Sequence, residues 1–251
     1  MGFVGRGLIN KMDICILNSG FGSRLKKYTT KMPKGLVPLN DNDSILSKQI
    51  DIFRLLDDFN YVITTGYLDG MIQEYIKNRY PKLDVNYLFN EKYESTNYIT
   101  SLHLLDADYK DSIILLHGDL VFEKSVASDV VNSNKSVVII DSSLPLPEKD
   151  FKAKVVDGKV VAIGVDLFGD NCFACQPFYH LKKKDWNIWQ KEITHFCDEG
   201  ITDVYGENAL NAISDKIDLF PFDVKGRLCK EIDNEEDLTS VRNILESLNE
   251  Q

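Results

Sequence analysis

The feature that most constrains this chain is an alternation. Through the first half, short β-branched runs take turns with helical patterns, which is the mark of βαβ units on a mostly parallel sheet. Ile14–Leu17, Tyr61–Thr65 and Val85–Phe89 read as the first three strands. Between them, Ser44 reads as the N-cap of a helix to about Asp58, burying Ile45, Leu46, Ile50, Phe53 and Leu56. Leu68, Met71, Ile72, Tyr75 and Ile76 form a second helical stripe that Pro81 closes, and Ile99, Leu102, His103 and Leu105 mark a short third one.

Further on, Ile113–Leu116 is apolar without interruption, the pattern of a central strand covered on both faces. It ends in His117-Gly118-Asp119, which places a carboxylate at the carboxyl edge of the sheet, where open α/β folds bind ligands. Val137–Ile140 is another strand. Lys152–Val156 and Lys159–Val165 then flank Asp157-Gly158, a hairpin with a type I′ turn. A helix from about Lys184 to Cys197, another from Glu207, strands at Asp218–Val224 and Leu228–Ile232, and a terminal helix with an acid-rich start complete the pattern. The expected fold is α/β: a Rossmann-like, mostly parallel central sheet flanked by helices, as one domain over residues 13–248 after an N-terminal extension at 1–12.

Composition excludes several classes. Across 251 residues, 39 acidic against 29 basic side chains leave a net charge of −10, a poor match for nucleic acid or an anionic membrane. No apolar run approaches the roughly 18 residues of a membrane span, and residues 1–12 lack a signal peptide's apolar stretch. The expected location is the cytoplasm. Met1-Gly2 does not continue as a myristoylation site, because Arg6 stands where Ser or Thr is needed. The five scattered cysteines fit reduced thiols, and Cys172-x-x-Cys175 lies in a strand-like context that suits packing rather than a metal.

Charge is distributed unevenly. No Asp or Glu occurs from Ile14 to Asn40, while Arg24, Lys26, Lys27, Lys31 and Lys34 contribute five positive charges. This basic stretch follows the first strand and opens with Asn18-Ser19-Gly20-Phe21-Gly22-Ser23. Glycines let the backbone approach a polyphosphate, and cations neutralise what the turn holds. A solvated basic turn would share those features. The pattern is neither a Walker A loop nor the Rossmann G-x-G-x-x-G.

Four motifs taken together decide between these readings. Gly20-x-Gly22-x-Arg24 followed by Pro33-Lys34, then Asn90-x-x-Tyr93-x-x-Thr96-Asn97 with Ser101-Leu102, and finally Gly118-Asp119 and Glu231-Ile232-Asp233 resemble the signatures of nucleotidyltransferases of the sugar-nucleotide pyrophosphorylase type. Asn18 and Ser19 stand where the usual family loop has two alanines. That departure is more common in the family's phosphocholine-like branch, and the chain as a whole resembles the phosphocholine/phosphoglutamine cytidylyltransferase-like branch.

The resemblance implies a GT-A-like fold and a Mg²⁺-dependent transfer of CMP from CTP to a small phosphorylated acceptor, with release of pyrophosphate, for capsule or surface-glycan modification. It assigns Mg²⁺ to Asp119 and Asp233, the triphosphate to Arg24 and charge neutralisation at the reacting phosphates to Lys34. It places the nucleotide on Asn18, Ser19, Gly20, Gly22 and Ser23, with Asn97 contacting nucleotide or acceptor. Asn97 also reads as a plain helix N-cap, and Asp233 as a cap of the terminal helix. His117 reads as an oriented structural residue, because the chemistry asks for no base.

The acceptor side is expected within about residues 144–224, a hairpin and helical subregion. Family members that take phosphocholine tend to carry Trp where this chain has Gly206, after Tyr205. Asp150 and Lys152 flank Phe151, a mixture that suits a zwitterion, so phosphoglutamine ranks slightly above phosphocholine, with 2-aminoethylphosphonate as a further candidate. Trp186 and Trp189 read as core. Alternatives are a sugar-1-phosphate nucleotidyltransferase, a glycosyltransferase of the related fold, and a nucleotide-binding regulatory module. Homo-oligomer formation stays open.

Overall fold

The computed structural model describes residues 11–249, so most of the expected extension at 1–12 lies outside it. The chain order begins β1 (Asp13–Leu17), α1 (Lys26–Thr29), α2 (Ile45–Arg54), β2 (Asn60–Thr65), α3 (Asp69–Arg79), β3 (Val85–Phe89) and α4 (Ile99–His103). It continues with β4 (Ile113–His117), β5 (Leu120–Phe122), α5 (Lys124–Val131), β6 (Ser136–Asp141), β7 (Lys152–Val156) and β8 (Lys159–Gly164). The rest is β9 (Cys172–Leu181), α6 (Lys183–Asp198), α7 (Gly206–Ala212), β10 (Leu219–Asp223), β11 (Cys229–Glu231) and α8 (Glu235–Asn249).

Strands order as β10-β6-β9-β4-β1-β2-β3, with the β7/β8 hairpin attached through β9. The β1, β2, β3 and β4 pairs are parallel, as are β6 and β10, while β9 runs antiparallel between β4 and β6. The α/β class and its mostly parallel sheet are therefore present. Within the stretch 144–224, β9 is a central strand of the sheet, with eight of its ten residues buried. At the hairpin, Asp157 and Gly158 take φ of 50° and 76°, the left-handed pair that a type I′ turn demands.

Local chemistry explains the boundaries. Ser44 caps α2: its hydroxyl accepts from the Ser47 amide while Ser47 Oγ accepts from the Ser44 amide, a reciprocal box. The helix ends at Arg54, short of the expected Asp58.

Apolar surface lies on both faces of the sheet. One face packs Trp186 and Trp189 of α6 against Tyr179, which makes both tryptophans core as expected, and the other packs Phe53 against Phe122 and Phe178. All five cysteines are free thiols, and Cys172 and Cys175 are buried on β9.

A third, smaller core matters most for function. Leu25, Val37 and Leu39 of the basic segment, with Ile45 of α2, pack against Val121, Leu228, Ile232, Leu238 and Val241. Burying each such aliphatic side chain contributes roughly 1.5–3 kcal/mol. This core binds the basic loop to the C-terminal segment.

Candidate active site

The site grows out of the register of two strands. Leu17 of β1 lies opposite His117 of β4, so both strands leave the sheet at the same edge, Asn18 beside Gly118. A Cβ on Gly118 would sit 2.8 Å from the Leu17 carbonyl oxygen, so glycine is required there. Gly22 has φ 62°, and a Cβ on it would lie 2.9 Å from Lys34 Cβ. The glycine turn thus presses its backbone against the Lys34 side chain.

A short antiparallel pair brings in the last carboxylates. β5 pairs with β11, and the Ile232 amide donates to the Asp119 carbonyl at 3.0 Å. Sequence reading missed β5, since three residues show no periodicity, and it missed α5 directly after it. The i, i+2 spacing of Glu231 and Asp233 was the available signal that both point to one face.

All ten sequence-predicted site residues come together. Asn18, Ser19, Gly20, Gly22, Ser23, Arg24, Lys34, Asn97, Asp119 and Asp233 line one cavity of about 600 Å³. Lys34 Nζ donates to Asp119 Oδ2 at 2.5 Å and to Asp233 Oδ1 at 2.8 Å, and Arg24 meets Asp233 at 2.9 Å. Burial works against the Lys34 ammonium, but the charges of Asp119 and Asp233 outweigh it and push its pKa up. Burial likewise opposes the Asp119 carboxylate, while Lys34 and His117 hold it below the ordinary range.

Asn97 is not the N-cap. Tyr98 occupies that position, and Asn97 Oδ1 accepts from the Tyr98 amide at 2.8 Å while its own amide donates to the Thr202 carbonyl at 2.8 Å. Ser19 Oγ donates to Thr64 Oγ1 at 3.0 Å and accepts from Ser101 Oγ at 3.1 Å, which fixes the loop to β2 and α4.

The far end of the cavity has a different character. Tyr98, Phe151 and Tyr205 form its aromatic wall, with Phe151 edge-on to Tyr205 at 5.1 Å. Lys149, Asp150, Asp203 and Glu231 add charge. Beneath the wall, buried Glu207 accepts from the hydroxyls of Tyr98 and Tyr179. Gly206 fits under this wall because a Cβ there would collide with Leu102. Lys152, expected beside the acceptor, is buried outside the cavity, and Lys149 lines it instead.

His117 connects the two ends. Its Nδ1 lies 3.2 Å from Glu231 Oε1, and ligand atoms of His117, Asp119 and Glu231 fall within 4.8 Å of one another. Burial and the Asp119 charge push Glu231 up to about 7, against the pull of its hydrogen bond to His117. Burial opposes the imidazolium, but Glu231, Asp119 and Glu207 raise the His117 pKa. Asp119 Oδ1 is buried with no hydrogen-bond partner among the described residues. An unpartnered hard oxygen beside a second carboxylate is the donor chemistry a divalent cation takes.

Comparison with known proteins agrees with this geometry. Over 243 residues the chain is 24% identical to choline-phosphate cytidylyltransferase of Streptococcus pneumoniae, covering 95% of this chain and 100% of that one. It is 26% identical over 136 residues to CTP:phosphoglutamine cytidylyltransferase of Campylobacter jejuni, covering 51% and 52%. A solved structure of the CTP:phosphocholine cytidylyltransferase of S. pneumoniae superposes with a TM-score of 0.78 at 21% identity, over 94% of this chain and 99% of that one. Residues 14–140, from β1 almost to the end of β6, match the family described as Nucleotidyl transferase. With that match spanning the glycine loop, Lys34 and Asp119, the chain belongs to the nucleotidyl transferase family.

Proposed function

We propose that this chain transfers CMP from CTP to a small phosphorylated zwitterion in the cytoplasm, releasing pyrophosphate and supplying an activated group for a capsule or surface glycan. The observation that carries the reading is Lys34, clamped between Asp119 and Asp233 under the glycine turn and facing an aromatic, acid-rich pocket in the same cavity. The full-length similarity to a choline-phosphate cytidylyltransferase supports CTP as donor.

The chemistry needs charge rather than a base. A phosphate monoester has its second pKa at about 6, so its oxygen is already a competent nucleophile at pH 7. That oxygen forms a bond to the α-phosphorus of CTP while the bond to the bridging oxygen breaks, and its electron pair leaves with pyrophosphate. Two anions must meet, so positioning and positive charge dominate the barrier. Lys34 and Arg24 exchange carboxylate for phosphate oxygens and neutralise the reacting groups. Gly20 and Gly22 allow close backbone approach to the triphosphate. Asn18, Ser19 and Ser23 border it, and Asn97 stands between nucleotide and acceptor.

Nucleotidyltransferases generally use a divalent metal. Here Asp119 and Asp233 would hold it, with Mg²⁺ as the ion that suits one or two carboxylates plus phosphates, and it would stabilise charge on the phosphate oxygens. The acceptor end suits a zwitterion: Tyr98, Phe151 and Tyr205 with Asp203 and Glu231 receive an amine, and Lys149 receives a carboxylate. Gly206 leaves no further aromatic side chain for a closed cage, which favours phosphoglutamine slightly over phosphocholine.

The test is pyrophosphate release with Mg²⁺, CTP and a panel of phosphoglutamine, phosphocholine, 2-aminoethylphosphonate and hexose 1-phosphates. Turnover with a zwitterion is expected, and Lys34→Ala should lower it on the order of 100-fold or more. Equal turnover by both proteins would remove Lys34 from the mechanism. A preference for hexose 1-phosphates would replace the acceptor assignment.

A further inference from the structure

Lys152, at the start of β7, is 0% exposed, yet among the described residues its ammonium pairs with no carboxylate. Its Nζ donates to the Pro147 carbonyl at 2.8 Å, reaches the Glu148 carbonyl at 3.5 Å and lies 4.3 Å from the centre of the Phe168 ring. Burying a charge without a counter-ion is costly. Two carbonyl acceptors and an aromatic face against the ammonium offset that cost.

Those carbonyls belong to the strap at 144–150 that connects β6 to β7. Its stem is pinned by Ser142 Oγ donating to Asp223 at 2.6 Å and Ser143 Oγ donating to Asp141 at 2.6 Å. Beyond the stem, residues 144–150 make no backbone–backbone hydrogen bond among the described residues. The strap nonetheless carries Lys149 and Asp150 to the cavity and leads directly into Phe151 of the aromatic wall. Phe168, 61% exposed, closes over the ammonium from the solvent side.

We propose that Lys152 is a positioning residue: its buried ammonium holds the strap in the place where Lys149, Asp150 and Phe151 meet the acceptor, and so sets acceptor affinity. This rests on the reading above of which end of the cavity takes the acceptor. Lys152 touches neither the nucleotide nor the reacting phosphate.

Lys152→Met keeps most of the side-chain volume and removes all three donors. With the better of phosphoglutamine and phosphocholine, its acceptor KM should rise about tenfold while the CTP KM stays within about twofold of wild type. Lys152→Arg, which keeps the charge, should recover most of that loss. Independently of turnover, trypsin cleavage after Lys149, followed by mass spectrometry at a temperature where circular dichroism shows both proteins folded, should accelerate about tenfold. Unchanged cleavage overturns the strap anchor. Faster cleavage with an unchanged acceptor KM overturns its role in affinity, as does a rise of both KM values together. If the wild type turns over no acceptor, the functional reading falls, and the cleavage assay still decides the anchor.

Discussion

The two ends of the cavity solve the problem of buried charge in opposite ways. At the glycine-loop end, Asp119 and Asp233 are matched by Lys34 and Arg24, and the cluster is internally neutral. At the aromatic end, Glu231 bonds to His117, while Glu207 bonds to two tyrosine hydroxyls and no Lys or Arg pairs with either among the described residues. A ligand at the first end would have to exchange partners with paired charges, which a polyanion and a divalent cation arriving together would do without leaving a charge unmatched. The second end instead mixes the acids Asp150, Asp203 and Glu231 with a single lysine, Lys149, a surface that would suit a ligand carrying both signs of charge.

The largest expected effect lies at the first end. Asp119→Asn should lower kcat on the order of 1000-fold with every acceptor alike, measured by pyrophosphate release. A change in acceptor preference would break the division between the ends. At the second end, Tyr205→Ala should raise the acceptor KM about tenfold and leave the CTP KM unchanged. A parallel rise in both constants would show that the aromatic wall serves the nucleotide too.

The smallest effect is on stability. Burial and Asp119 raise the Glu231 carboxyl to about 7 from an ordinary value of 4.5. A raised carboxyl stabilises the fold fully below its unfolded pKa, and that contribution is lost as pH climbs through the folded pKa. Urea unfolding of the metal-free protein should therefore show a loss between pH 6 and pH 7 of about 1 kcal/mol that Glu231→Gln removes. An identical pH slope in the variant would mean that Glu231 stays ionised throughout.

The same two ends differed in how readable they were. The glycine-loop end is written in one stretch, Asn18 to Lys34, where glycines and cations without acids declare themselves whatever the fold. The aromatic end is assembled from Tyr98, residues 149–151, Asp203, Tyr205 and Glu231, which no spacing rule joins. Lys152 illustrates the limit. Alternation along β7 does not reveal that a lysine turns inward, because its partners are carbonyls of a loop without regular structure. The antiparallel course of β9 was equally hidden, since period-two alternation is the same in both strand directions.

By itself, the sequence determined the α/β class, the strand and helix order from β1 to β4, the glycine-rich basic loop and the choice of Arg24, Lys34, Asp119 and Asp233 as candidates, because those signals are local and periodic. Only the tertiary structure decided that Lys34 sits between two aspartates, that the pairing of β11 with β5 brings Glu231 and, two residues on, Asp233 to the site, and that an antiparallel strand runs through the middle of the sheet. Distances between remote side chains depend on register and on a shared core, here the packing of Leu25 and Val37 against Ile232 and Leu238, and neither is a property of any single segment.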